Sequence, residues 1–509
     1  MKSETGHHLV AEASAHHYWR RLLLVLSIPL VAATIFAACA EETAPPDPRP
    51  IVIPGDNEPI LYRTHIEPIW LNSCGGGVCH AGGGRAAGLA LDSFEKLVEG
   101  SNFGAVVIPF GAERSHIYQP ILPDTMSGPR ATPLMPASRN PLPIEQVLLV
   151  KRWIDEGAQG PNSEIPLAGD DRARLFITCQ SEDIVALLDV ATERIARFVP
   201  VGILPDASSP PEAPHNIVIA PDGASFYIVM IASGRIDRYS TTSYALLGSA
   251  NVGRSPSQVR FSPDGRYVYV SNFDATTAEP FVYRLDPDLA GPPLVIDIEG
   301  NGPHGITFGP QGERLYTMNA FSDDISVVDL TKETPEVIGR IPIVPGSPAA
   351  PAGGAVHEPY QSEIAPDGMM YVTCRKSGEV RVVDLAAERV IDSIVVGRRP
   401  LIPAIHPDGS EIWIPNQGSN TISIIATATR SVVTTIENVD AGPHAVLFDP
   451  SGRRAWVSCE NLTGDENLHH PLEGTDVVPG LLYSIDVASR SIERVTEIGG
   501  FAAGLAYLP

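Results

Sequence analysis

Two cysteines and a histidine stand close together in Cys74-Gly-Gly-Gly-Val-Cys79-His80. Covalent haem attachment needs two thiols that reach two vinyl groups, and an imidazole directly behind the second thiol that can ligate iron from one face. The usual spacing leaves two residues between the cysteines, whereas four intervene here. Three of the four are glycines, which give the longer loop the backbone freedom to bring Cys74 inward. The same residues could form a small disulfide loop, with His80 an ordinary surface residue, because disulfides persist outside the cytoplasm. They could also contribute to a metal site.

A second set of histidines, His215, His304 and His444, each follows a proline directly. Neutral imidazoles that converge can hold zinc, copper, iron or nickel, and His357 lies close by in sequence. Whether they converge depends on the elements that carry them, and these repeat. Between residues 171 and 509, seven strand-like segments end at equivalent places: FITC at Cys179, YIVM at Met230, YVSN at Asn272, YTMN at Asn319, YVTC at Cys374, WIPN at Asn416 and WVSC at Cys459. Their spacings of 42 to 55 residues fit one four-stranded propeller blade per repeat. Six of the segments follow APDG-like turns in which glycine supplies a positive φ. The first repeat lacks its leading strand, and the C-terminal FAAGLAYLP can supply it and close the ring.

PDGRYVYVSN and PDGMMYVTC resemble the YVTN-type repeat of bacterial seven-bladed β-propellers, over about 340 residues. The resemblance implies fold more than function. A proline stands seven residues before each turn's first proline, so the residues after it, His215, Ser257, His304, Tyr360, Leu401 and His444, are expected around one mouth of the channel. Propellers of the nitrous-oxide-reductase and haem-d nitrite reductase types place histidines near such a mouth. Here the three histidines fall on blades two, four and seven, so their side chains need not meet; a metal site and a structural role both stay open. Cys179, Cys374 and Cys459 share a repeat position, which spreads them around the ring as buried thiols.

Residues 58–160 show short helical patterns instead. In PIEQVLLVKRWIDEGA, Val147, Leu148, Val150, Trp153 and Ile154 read as the apolar stripe of a helix that stops at Gly157. Over almost its whole length this segment resembles the cytochrome-c-like domains of planctomycete-type and myxobacterial exported proteins. The resemblance implies thioether links at Cys74 and Cys79, His80 as proximal ligand and Met135, in a late Met-Pro, as distal ligand. Met126, His65 and His116 are the other candidates for the distal position.

Ahead of these units, Arg20 and Arg21 precede an apolar run ending on small residues at Cys39, the layout of an export signal over residues 1–39. The junction FAAC resembles a bacterial lipobox, with Phe36 where leucine is more usual, and implies lipidation of Cys39. An uncleaved anchor is the other reading; both tether the chain to a membrane. Residues 40–57, rich in proline and acid, read as a disordered linker. Thirty-six basic against 60 acidic residues give a formal charge of −24, which argues against nucleic-acid binding.

The expectation is thus a mainly β chain, a seven-bladed β-propeller over 171–509 preceded by a small α-helical cytochrome-c-like domain over 58–160. It would be exported to the periplasm, outer membrane or cell surface as a lipid-anchored protein. One covalent haem c would exchange single electrons with a redox protein or a small-molecule donor or acceptor, with the propeller docking a partner or substrate. The alternative is a non-redox surface binding lipoprotein with a Cys74–Cys79 disulfide and no haem. Some YVTN-type propellers resemble lactonases, but no acid and nucleophile pair stands at repeat-equivalent positions.

Overall fold

The computed structural model describes residues 49–75, 79–81, 84–123, 134–137, 140–169, 171–203, 211–274, 281–347, 354–440, 442–461 and 478–509. The export signal with Cys39, the first half of the linker, and Met126 lie outside the described residues. The chain divides into two compact units at Ala168/Gly169. Among the described residues no helix is long and apolar enough to cross a membrane.

The first unit is held by short helices around one apolar core. A wide turn, Tyr62–Ile66, runs into helix α1, Glu67–Ser73, which opens on Pro68, where a missing N–H costs nothing. Helix α2, Phe94–Glu99, is capped by Ser93, whose side chain accepts the Lys96 N–H. Helix α3, Ile144–Asp155, buries Val147, Leu149, Val150, Trp153 and Ile154. Leu148 does not belong to the buried stripe: it is 47% exposed and Leu149 takes its place. At 100° per residue, Leu149 shares a face with Trp153, four residues on, while Leu148 shares the charged face of Lys151 and Arg152. Gly157 ends the helix at φ +105°, and a Cβ there would stand 2.8 Å from the Phe110 ring. The core joins Tyr62, Ile66, Trp70 and Cys74 with Phe94, Leu97, Val150 and Trp153, and Met135 packs against it.

The second unit consists of seven four-stranded antiparallel sheets. Six are built from consecutive strands. The seventh joins the C-terminal strand Ala502–Leu508 to Arg174–Cys179, in register from Arg174 opposite Leu508 to Cys179 opposite Ala502. The ring therefore closes by pairing its two ends, which leaves no long unpaired edge. The turn glycines Gly223, Gly265, Gly312, Gly368, Gly409 and Gly452 all have φ between +70° and +81°. Counting from the closing sheet, the innermost strands of blades 2 to 7 begin at Pro214, Pro256, Pro303, Pro359, Pro400 and Pro443.

Candidate functional site

In the first unit, the end of helix α1 places Cys74, whose N–H donates to the Trp70 carbonyl at 2.8 Å. Gly75 then lies tight against the last turn of the helix: a Cβ on it would stand 2.6 Å from the Leu71 carbonyl oxygen, so only glycine fits. Both carbonyls of the Cys79-His80 pair are held by the following segment, Cys79 by the Ala86 N–H at 2.9 Å and His80 by the Leu91 N–H at 2.6 Å. The His80 ring is held as well, with Nδ1 3.3 Å from the Leu89 carbonyl oxygen. A carbonyl can only accept, so Nδ1 carries the proton and Nε2 the lone pair, the tautomer that a metal-ligating histidine needs. Burial pulls the His80 pKa down and outweighs the opposing Leu89 hydrogen bond, which favours the neutral ring.

Met135 donates its N–H to the Pro120 carbonyl at 2.8 Å, and its side chain packs on the core that contains Cys74. Two buried polar atoms of that core, Trp70 Nε1 and Tyr62 Oη, have no hydrogen-bond partner among the described residues. Trp70 lies one helical turn before Cys74. Thiol, imidazole and thioether donors, with the unspent Trp70 Nε1 donor one turn before Cys74, are the residue types that fit a haem group. His65 is buried, with Nδ1 accepting the Leu61 N–H at 2.9 Å, and His116 is exposed.

In the propeller, the residue before each innermost strand is left-handed: Ala213, Ser255, Gly302, Glu358, Arg399, Gly442 and, in the closing blade, Phe501, with φ between +51° and +71°. In each, its carbonyl accepts an N–H from the residue just past the repeat marker, at 2.8 to 3.1 Å. Those donors are Gln180, Ile231, Phe273, Ala320, Arg375, Gln417 and Glu460. This backbone device sets two concentric rings at one mouth, these seven residues and an inner ring of Ala503, His215, Ser257, His304, Tyr360, Leu401 and His444. The sequence reading located six members of the inner ring and missed the outer one, although it begins one residue after each YVTN-type marker.

The inner ring brings the three histidines together. His215 sits between the others, its ring centroid 5.9 Å from that of His304 and 5.3 Å from that of His444. The blades between them carry only Ser257 and Ala503, too small to fill the centre. Thr178 fixes the His215 carbonyl at 2.7 Å, and Ser257 and Ser271 fix that of His304 at 3.0 and 2.5 Å. Tyr360 stacks on His304 at 3.6 Å. Glu460 Oε1 stands 3.8 Å from His444 Nε2, while Oε2 accepts the Gln417 side-chain N–H at 2.6 Å. Burial raises the Glu460 pKa well above the ordinary carboxylate value, against the pull of Gln417, Arg375 and Arg399, which favours the protonated, neutral form. Among the described residues no group of three or more His, Cys, Asp or Glu side chains is arranged to hold a metal ion, this cluster included. His357 lies apart from it, with Nδ1 2.8 Å from Glu379 Oε1. Cys179, Cys374 and Cys459 are fully buried on separate blades, and burial pushes the thiols of Cys374 and Cys459 upward.

Comparison with known proteins places the second unit. Residues 176–417 match the SMP-30/gluconolactonase/LRE-like region family, a span of under half the chain. Antigen Lp49 of Leptospira interrogans is 22% identical over 252 residues, 48% of this chain; the match spans about half of that protein, 51%. The periplasmic gluconolactonase PpgL of Pseudomonas aeruginosa superposes with a TM-score of 0.50 at 17% identity, covering 66% of this chain and 99% of that structure. The dihydro-heme d1 dehydrogenase NirN superposes with a TM-score of 0.46 at 15% identity, covering 80% and 94%. With the seven sheets and the closing pair of terminal strands, the likeness to the lactonase establishes the fold of the second unit as a seven-bladed β-propeller.

Proposed function

We propose that this chain is an exported, lipid-anchored c-type haem protein for one-electron transfer, with the propeller as its docking or substrate-binding scaffold. The observation that carries the reading is the Cys79-His80 pair, whose imidazole is fixed through Nδ1 on the Leu89 carbonyl with Nε2 left to ligate. Cys74 and Cys79 would hold the group covalently, and His80 and Met135 would supply nitrogen and sulfur donors to its iron. When bound, haem held by a histidine and a methionine would supply a one-electron couple of raised potential.

The chain's own residues have the positioning work. Helix α1 and Gly75 bring the first thiol to the loop. The Ala86 and Leu91 amides fix the second thiol and the histidine, and the Leu89 carbonyl sets the tautomer. The core around Trp70, Phe94 and Trp153 excludes water from one side. Lipidation at Cys39 would hold the chain at a membrane surface, and its redox partner would be a protein or a small electron donor or acceptor.

The test is spectroscopic. In protein matured with export and haem-attachment machinery, Met135→Ala should shift the reduced-state absorption and lower the midpoint potential while the covalent haem band of the denatured chain persists. His80→Ala should remove low-spin character altogether. Wild-type protein matured in this way without any haem band would contradict the reading.

A further inference from the structure

At four seams of the ring, one blade reaches the next through a side chain. The hydroxyls of Thr178, Ser271, Thr373 and Ser458 donate to the carbonyls of His215, His304, Leu401 and Ala503, each at the start of the following innermost strand. Each hydroxyl stands one residue before its repeat marker. In blade 6 that place holds Pro415, which has neither a hydroxyl nor an N–H to give. The innermost strand of this blade shortens to Ala404–Ile405, and Ile402 turns its backbone to blade 7. Its N–H donates to the His444 carbonyl at 3.1 Å, and its carbonyl accepts the Val446 N–H at 3.4 Å. Among the described residues, Ile402 and Ala445 form the only parallel bridge.

The other end of the same segment is fastened by His406, just ahead of the blade 6 turn. Its Nδ1 lies 2.6 Å from Asp408 Oδ1, and its Nε2 reaches across the seam to 2.9 Å from the Gly452 carbonyl oxygen in the blade 7 turn. A carboxylate and a carbonyl can only accept, so both ring nitrogens must carry protons to satisfy them, which makes the ring an imidazolium. A neutral ring keeps one lone pair. On Nε2 it would face the carbonyl; on Nδ1 it would face the carboxylate, with only the Asp408 N–H at 3.3 Å to set against it. The ring has little room to turn away: Phe448 packs edge-on at 5.2 Å, and a Cβ on Gly452 would overlap the imidazole.

The surrounding groups favour the cation. Burial lowers the His406 pKa, but Asp408, the Gly452 carbonyl and Glu411 together outweigh it and raise the value above the ordinary one. Glu411 is itself paired with Arg490. In the blade 7 turn, Asp449 accepts the Ser451 hydroxyl and the Arg454 N–H, Arg453 donates to Ser451, and Arg454 pairs with Glu193 and Glu493. On the other side, Asp367 of the blade 5 turn accepts the Met369 N–H. We propose that protonated His406 is a pH-operated staple between blades 6 and 7, closing the seam whose innermost strand also holds the His444 backbone and releasing it as pH rises. An unfolded histidine titrates near ~6.5. The stability contributed by the staple is therefore fully present below that pH and is lost as pH rises through the higher folded value.

The experiment is hydrogen exchange of the full exported chain, read by mass spectrometry between pH 6 and 8.5 and corrected for the intrinsic pH dependence of exchange. Exchange over residues 401–406 should quicken about threefold or more across that range in wild type, the loss of one charge-assisted hydrogen bond beside an exposed carboxylate. In His406→Gln, whose amide can still donate to Gly452 but does not titrate, the corrected rate should stay level. A direct titration needs no variant: with carbon-13-labelled histidine, the His406 ring should titrate above ~6.5 by nuclear magnetic resonance. Asp408→Asn keeps an acceptor and removes the charge, so it should move that titration downward. A wild-type His406 that titrates below ~6.5, an unmoved titration in Asp408→Asn, or parallel exchange in wild type and His406→Gln would overturn the proposal.

Discussion

Burial acts on His80 and Glu460 to the same end from opposite chemistries, since it lowers the pKa of the base and raises that of the acid and so favours the neutral form of each. For Glu460 this has a sign that stability can read. An unfolded glutamate ionises near ~4.3, while the folded group resists ionisation. Stability is therefore fully present below that pH and is lost as pH rises toward the raised folded value. Gln417 can still donate to a glutamine at 460, and Arg375, Arg399 and His444 are the charged or titratable groups around it. Glu460→Gln is therefore expected to melt with wild type at pH 4 and above it at pH 7.5, measured by differential scanning calorimetry. A variant that melts below wild type at pH 7.5 would show that the carboxylate form is the one the fold wants.

At the scale of elements, the helix α3 stripe gives a sharp contrast between neighbours. Leu149→Ala removes a side chain that is 4% exposed and should cost about 2–5 kcal/mol. Leu148→Ala should stay within about 0.5 kcal/mol, both read by urea unfolding of the whole chain followed through tryptophan fluorescence. Equal costs would place the buried face one residue earlier. That single slip is typical of what was hard to read: Val-Leu-Leu-Val is apolar throughout, and only the charged neighbours that share each face separate Leu148 from Leu149. The blades were easier, because their period, the positive-φ glycines at Gly223 and its equivalents, and the C-terminal strand are all carried by residue type. The six inner-ring positions could be counted from Pro214, Pro256 and their equivalents. The outer ring was not seen, because Gln180, Phe273, Arg375 and Glu460 share no residue type. A backbone hydrogen bond to a left-handed residue defines their position, and sequence shows that only indirectly. Nor could spacing show that His215 meets His304 and His444, since that depends on the small Ser257 and Ala503 on the blades between.

For the whole molecule, closure of the ring depends on one strand. Removing residues 502–509 takes away Ala503 from the inner ring and exposes the edge of Arg174–Cys179, a six-residue strand that is buried throughout. An apolar edge of that kind pairs with other chains. The truncated protein is expected to lose its cooperative thermal transition and to elute as aggregates in size-exclusion chromatography; a monomer with an unchanged midpoint would mean that the terminal pair contributes little. The decisive measurement is the intact mass of the mature exported chain under denaturing conditions. The proposed function requires an increment of one haem, lost in Cys79→Ala. A folded chain without that increment, two hydrogens lighter than its fully reduced form, would contradict it and leave Cys74 and Cys79 as a disulfide clip.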